Sequence, residues 1–295
     1  MKRVDCAEDV PRYAARAVHY LKCVVAISSL CTACAQLPVQ TKDFACEGAP
    51  GFDPRAFGSR LLVLGEIHGT SEVPRIAKDL VCQAIAEKRS PVLLLLELDG
   101  SQSPALARYV ASDGTQEERC AFLAHFEWAR PGQDGRTTVA MFELIDFVRA
   151  MKRIGHPVEV AAFAGGTDQQ YADNIARQLD QKPQAWAVAV VGNLHAAKQP
   201  LTYGGRNIVP AVSLLERYAP VSLNMVASGG TFWGIFDGTQ GVHDLDDYRD
   251  VGLAPDMLRY GQLSFEPNIA GGLRYDGCFG IGQATATPPG AQLCQ

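Results

Sequence analysis

Several motifs that would identify chemistry outright are missing from this chain. There is no H-E-x-x-H and no G-x-S-x-G, so neither the zinc-protease helix nor the nucleophile elbow is available. There is no C-x-x-C-H, which excludes covalently attached haem. Beyond the first forty residues no two cysteines stand at C-x-x-C spacing, so a zinc finger has no support. Positive charge is also short: 27 Lys and Arg face 32 Asp and Glu, a formal net charge of -5. A chain with no basic surplus is a poor partner for phosphate backbones, which excludes nucleic-acid binding. No repeat, coiled-coil heptad or low-complexity tract is present. What remains is 295 residues, 47% hydrophobic and 20% charged, enough apolar material for one globular domain or two small ones.

The first forty residues differ from the rest. A basic start leads into the apolar stretch "CVVAISSLCTACA", Cys23 to Ala35, which is shorter than the about 20 residues a membrane-spanning helix takes. Ala33-Cys34-Ala35 has the small-x-small spacing read by signal peptidase, so residues 1–35 are expected to be an export signal. The alternatives are a lipoprotein signal with Cys34 acylated, or a helix belonging to the fold. Residues 36–295 then form a single domain, periplasmic or secreted, that meets a membrane only if it is lipid-anchored. Of nine cysteines, Cys46, Cys82, Cys120, Cys278 and Cys294 follow this leader. In an oxidising compartment Cys278 and Cys294 would close the Gly/Pro-rich tail. Cys82 and Cys120, among helix-like neighbours, read as small buried hydrophobes. Sequence does not determine the pairing.

The remainder reads as an α/β fold: a mixed, largely parallel sheet flanked by helices. "RLLVLGE" (60–66) and "PVLLLLELD" (91–99) are apolar without alternation, as strands covered on both faces should be. Between them "VPRIAKDLVCQAIAEKR" (73–89) places Ile76, Leu80, Ala84 and Ile85 on one helical face, completing a βαβ unit. About 103–154 is a helical insert, its last helix presenting Met141, Leu144, Ile145 and Val148 and stopping at Gly155. "VEVAAFAGG" (158–166) is a strand before a helix capped by Thr167 or Asp168, and "AWAVAVVGNLH" (185–195) is another buried strand. After Pro200, shorter runs and a glycine-rich tail suggest edge strands and loops.

Chemistry collects at the strand ends. The first strand ends in Glu66 and His68, the second in Glu97 and Asp99, the late one in Asn193 and His195. In an open parallel sheet these carboxyl ends share one rim, where ligands bind. Taken singly each residue has an ordinary reading. A lone strand-end histidine is usually a satisfied turn residue, Glu66 has a plain reading as a cap at the helix start, and Glu97 as an ion-pair partner of Arg75 or Lys198. Together they favour a site. Asn193, Asp99 and Arg136 are candidate substrate-binding residues; Arg136 flanks the loop "PGQDG", where a solvated role is the plainer reading.

"LGEIHGTSEVP", "LLLELD" and "VVGNLH", in that order, resemble the motif set of the erythromycin-esterase, TraB, Tiki and ChaN-like group. The stretch "FEWARPGQDGRTTVAMFELIDFVRAMKR" is similar to that group's helical insert. The resemblance spans about 60 to 200. It implies an α/β fold with its site at the strand ends, and carries catalytic roles over to Glu66, His68, Glu97 and His195. It does not choose an activity, because the group contains macrolactone hydrolases, metal-dependent proteases and haem-binding lipoproteins.

A hydrolase acting on a small molecule or peptide is the first expectation. His68 would serve as general base, Glu97 would orient it, and His195 with Asn193 would hold the oxyanion. In a metal-assisted form, His68, Glu97 and His195 would ligate zinc or manganese. The alternative is an exported haem- or iron-ligand-binding protein of ChaN type, with a histidine at the mouth of an apolar slot. His125, His156 and His243 read as surface residues, Trp128 as a helix-packing anchor, and "HDLDDYRD" (243–250) as a solvated acidic surface.

Overall fold

The computed structural model describes residues 48–49, 51–52, 58–87, 91–203, 205–245, 253–265, 268–270 and 273–295. The expected export signal, with Cys34, and Cys46 lie outside these residues, as do Asp246 to Asp250 of the acidic run. All described residues belong to one compact unit, Asp43–Gln295. Among them no helix is long and apolar enough to cross a membrane.

The unbroken apolar runs become interior strands. β1 (Leu61–Glu66), β2 (Val92–Asp99) and β4 (Trp186–Gly192) are buried almost throughout. With β3 (Val158–Ala164), β7 (Val221–Phe236), β12 (Gly277–Ala284) and the two-residue β9 (Leu263–Ser264) they form the path β3-β2-β4-β1-β7-β12-β9, with β8 (Thr239–Asp244) paired to β7; β5 (Leu201–Tyr203) with β6 (Arg206–Ile208), and β10 (Asn268–Ala270) with β11 (Leu273–Tyr275), make two separate two-stranded sheets. The contacts from β3 through β12 are parallel, those of β9 and β8 antiparallel. Helices on both faces explain why these strands carry no alternation. Leu62, Leu64, Leu94, Leu96, Val188 and Val190 face one core with α1 (Glu72–Ala86), α2 (Ser103–Val110) and α5 (Val139–Arg153). Leu61, Val63, Leu93, Leu95, Ala187 and Ala189 face the other with α6 (Asp168–Gln181).

The insert contains α2, α3 (Gln116–Leu123), α4 (Phe126–Ala129) and α5, as expected. Trp128 is fully buried, its Nε1 donating to Gln102 Oε1 at 3.0 Å; it is a packing anchor. The C-terminal part departs from expectation. "VSLNMVASGGTFWGIF" is one sixteen-residue strand lying between β1 and β12, inside the sheet, and the glycine-rich tail supplies β12. The sequence reads these runs as edge strands; the Gly229-Gly230 pair that divides them does not end the strand, and both lie in one continuous element. The disulfide also differs. Cys294 is bonded to Cys120 of α3, while Cys278 is free and buried in β12. Cys82 is disulfide-bonded too, so neither Cys82 nor Cys120 is a mere apolar filler.

Candidate functional site

The site forms where the sheet's connections part. α1, which follows β1, packs on one face; the short α7 (Asn193–Ala196), which follows β4, packs on the other. β1 and β4 are neighbours with Glu66 opposite Gly192, so a crevice opens between their carboxyl ends. Glu97 reaches the same crevice from β2 on the far side of β4.

Glu97 is the centre. Only 5% exposed, its Oε2 accepts the Gly192 N–H at 2.6 Å and its Oε1 accepts the Tyr171 hydroxyl at 3.0 Å. Arg136 Nη1 lies 3.4 Å from Oε1. Both histidines converge on it: His68 Nε2 is 3.6 Å from Oε2 and His195 Nε2 is 4.0 Å from Oε1. Each imidazole is pinned at its other nitrogen by a separate carboxylate. His68 Nδ1 meets Glu66 Oε1 at 2.9 Å, and His195 Nδ1 meets Asp168 Oδ1 at 2.7 Å. Asp168 is itself fixed, because Oδ1 also accepts the Ala211 N–H at 2.7 Å. A Cβ at Gly192 would stand 3.0 Å from His68 Nε2, tighter than an ordinary contact, so glycine lets the ring sit close to the strand end.

The charges are strongly coupled. Burial alone would pull the His68 imidazole down, but Glu97, Glu66 and Asp134 outweigh it and hold its pKa up at about 9. Burial pushes the Glu66 carboxyl up against the pull of His68. Asp134 would also rise on burial, yet its bonds to the Arg136 guanidinium keep it below the usual carboxylate range. Burial and the nearby Glu97 carboxylate raise the Tyr171 hydroxyl, so it stays an O–H donor.

The structure therefore gathers Glu66, His68, Glu97, His195 and Arg136. It corrects other expectations. Arg136 is no solvated loop residue; it is held by Asp134 through Nε at 3.0 Å and Nη2 at 2.6 Å, and leans on Glu97. The expected partners of Glu97 are elsewhere: Lys198 bonds Asp276, and Arg75 stacks over Tyr260. Asp99 turns away and accepts the Ser101 N–H at 2.8 Å, lining a neighbouring groove of about 390 Å³ with Gln170, Asp173 and Arg177. Asn193 meets its surroundings through its carbonyl, which accepts the Tyr275 hydroxyl. Glu66 caps no helix; it holds His68. Asp168, Tyr171 and Asp134 belong to the cluster but were not read from sequence as site residues. The signal for the first two was their spacing of three on the first turn of a helix leaving a strand end, which puts both on one face.

Zinc or manganese on His68, Glu97 and His195 does not suit this donor set. The Glu97 lone pairs are engaged by Gly192, Tyr171 and Arg136, and a guanidinium already stands beside the carboxylate. Among the described residues no three His, Cys, Asp or Glu are arranged to hold a metal ion.

No protein-family model matches the chain, and no curated protein aligns with it significantly. Solved structures do. A Bacillus cereus protein superposes with TM-score 0.51 at 14% identity, over 80% of this chain and 91% of that one. A mutant of the erythromycin esterase EreC in its open conformation gives 0.50 at 10%, over 80% and 93%. A succinoglycan biosynthesis protein gives 0.50 at 11%, over 78% and 89%. At these identities the likeness establishes the fold, and it is the fold that the motif resemblance implied.

Proposed function

We propose that the crevice hydrolyses an ester, lactone or amide by metal-free acid–base chemistry, with the roles of the two histidines exchanged relative to the sequence expectation. The observation that carries this reading is the pair of imidazoles converging on Glu97, each with Nδ1 bound to its own carboxylate. Asp168 accepts the Nδ1–H of His195 and leaves Nε2 with the lone pair, the arrangement a general base needs. His68, flanked by Glu66 and Glu97, is an imidazolium at neutral pH and is suited to donate rather than accept.

In the reaction His195 Nε2 takes a proton from water, whose oxygen adds to the substrate carbonyl. The negative charge that develops on the carbonyl oxygen is met by the His68 Nε2–H and the Arg136 guanidinium. When the C–O or C–N bond breaks, His68 passes its proton to the leaving group. Asp168 stabilises the His195 imidazolium meanwhile. Glu97, held by Gly192 and Tyr171, keeps both rings in place and maintains the charge on His68.

The disulfides support export into an oxidising compartment, where such bonds persist, and therefore an envelope or secreted substrate. The contacts at Nε2, to Glu97 and its Arg136 partner, favour acid–base chemistry over haem ligation. The test is turnover of chromogenic esters, lactones and peptides by the wild type beside His195→Asn and His68→Gln. Loss of ~10²- to 10⁴-fold in both variants is expected, with the rate unchanged by a chelator. No turnover on any of these substrates, with a Soret band on adding haem, would replace the hydrolase by a ligand binder.

A further inference from the structure

The segment after β12, residues 285–295, runs across both loops that present the site. Ser71 N donates to Thr285 O at 2.9 Å, Thr285 N donates to Glu72 Oε2 at 3.0 Å, and Thr287 N donates to Gly69 O at 3.0 Å. These contacts hold the turn that follows His68. The segment then reaches the start of α5: Val139 N donates to Pro288 O at 2.8 Å, Ala140 N to Thr287 Oγ1 at 3.1 Å, and Gly290 N to Thr137 O at 2.9 Å. Thr137 directly follows Arg136. A single strap thus spans the His68 turn and the Arg136 segment, and it ends in a 3₁₀ turn, Gly290–Cys294, whose last residue is bonded to Cys120.

Each main-chain hydrogen bond contributes only about 1 kcal/mol net, so a short strap held mainly by such bonds depends on its disulfide anchor. Both cysteines of that anchor are partly exposed, with Cys294 also packed against the core, whereas Cys278 is buried. We propose that the Cys120–Cys294 disulfide is a redox latch on the crevice. Closed, it keeps residues 285–294 across the His68 and Arg136 loops; opened, it lets both loops relax and takes the site out of register. The electrons come from a dithiol: its thiolate attacks one sulfur, the other sulfur leaves as thiolate, and the reductant's second thiol resolves the mixed disulfide. Two cysteines and an oxidised reductant result. The consequence for catalysis rests on the hydrolase reading, but the latch itself does not.

The experiment is hydrogen exchange by mass spectrometry on the full chain, wild type beside Cys294→Ser, with His68 followed by NMR titration. The amides of Ser71 and Val139 should exchange at least tenfold faster in the variant while β2 and β4 keep their rates. The His68 midpoint should fall from about 9 towards the ordinary histidine range as water enters. Faster exchange confined to 285–295, with Ser71, Val139 and the His68 midpoint unmoved, would overturn the latch and leave a simple tail staple. Should Cys294→Ser fail to fold, the same readouts are taken on folded wild type after a brief dithiothreitol pulse. Alkylation mapping then separates Cys120 and Cys294 from Cys82, and the two outcomes keep their meaning. Neither readout involves turnover, so failure of the hydrolase reading and failure of the latch are told apart.

Discussion

At the scale of single residues, the decisive feature is that two histidines with similar sequence contexts acquire different partners. His68 sits among Glu66, Glu97 and Asp134, and its pKa rises to about 9. If it acts as the acid, activity should decline as pH passes about 9; a rate that instead climbs through that pH would make it the base. The same titration bears on stability. A histidine whose folded pKa exceeds the ordinary 6.5 adds stability that is complete below about 6.5 and is lost as pH rises through about 9. Glu66, raised by burial, acts in the same direction at lower pH. Denaturant midpoints measured from pH 6 to 10 should therefore fall steadily, and His68→Gln should flatten that part of the curve. For His195, Asp168→Asn keeps the shape but loses the carboxylate that steadies the imidazolium. A kcat loss of ~10²-fold or more with little change in KM is expected; a pure KM effect would place Asp168 in binding instead.

Elements set what these residues can reach. A Cβ at Gly192 would stand 3.0 Å from His68 Nε2, so Gly192→Ala crowds the ring and shifts it by a few tenths of an ångström. A displacement of about 1 Å can cost ~10²-fold in rate, so a kcat loss smaller than ~10²-fold is expected while the circular dichroism spectrum stays unchanged. The insert depends on its aromatic centre, where Trp128 meets Phe122 and Phe142 at ring distances of 5.2 and 6.2 Å. Trp128→Ala should cost roughly 3–5 kcal/mol, read as a lowered denaturant midpoint, and through Gln133, whose Nε2 donates to the Trp128 carbonyl, it should disturb the Asp134–Arg136 loop. Strands β1, β2 and β4 and helices α1 and α5 were legible because burial on both faces, or on one stripe, leaves a pattern in the residues themselves. For β7, read as short edge strands, and β12, read as a glycine-rich tail, no local pattern gives their place inside the sheet between β1 and β9; their neighbours' hydrogen bonds decide it.

For the whole molecule, the Cys120–Cys294 bond closes a loop of separation 174. Chain-entropy arguments assign such a loop up to about 5 kcal/mol, so Cys294→Ser should lower the unfolding free energy by a large part of that figure, measured by urea titration. Residue patterns alone were enough to read an α/β fold, strands that end in acids and histidines, and one rim shared by Glu66, His68, Glu97 and His195, because unbroken apolar runs and their polar ends are local properties. Which carboxylate holds which histidine was settled by tertiary contacts. They also seated Arg136 on Glu97, turned Asp99 out, and joined the tail to α3 across the site. Those outcomes depend on contacts between segments as far apart as 27 residues for Asp168 and His195 and 174 for the two cysteines, and pairings over such distances are selected by packing the sheet, which no local pattern encodes.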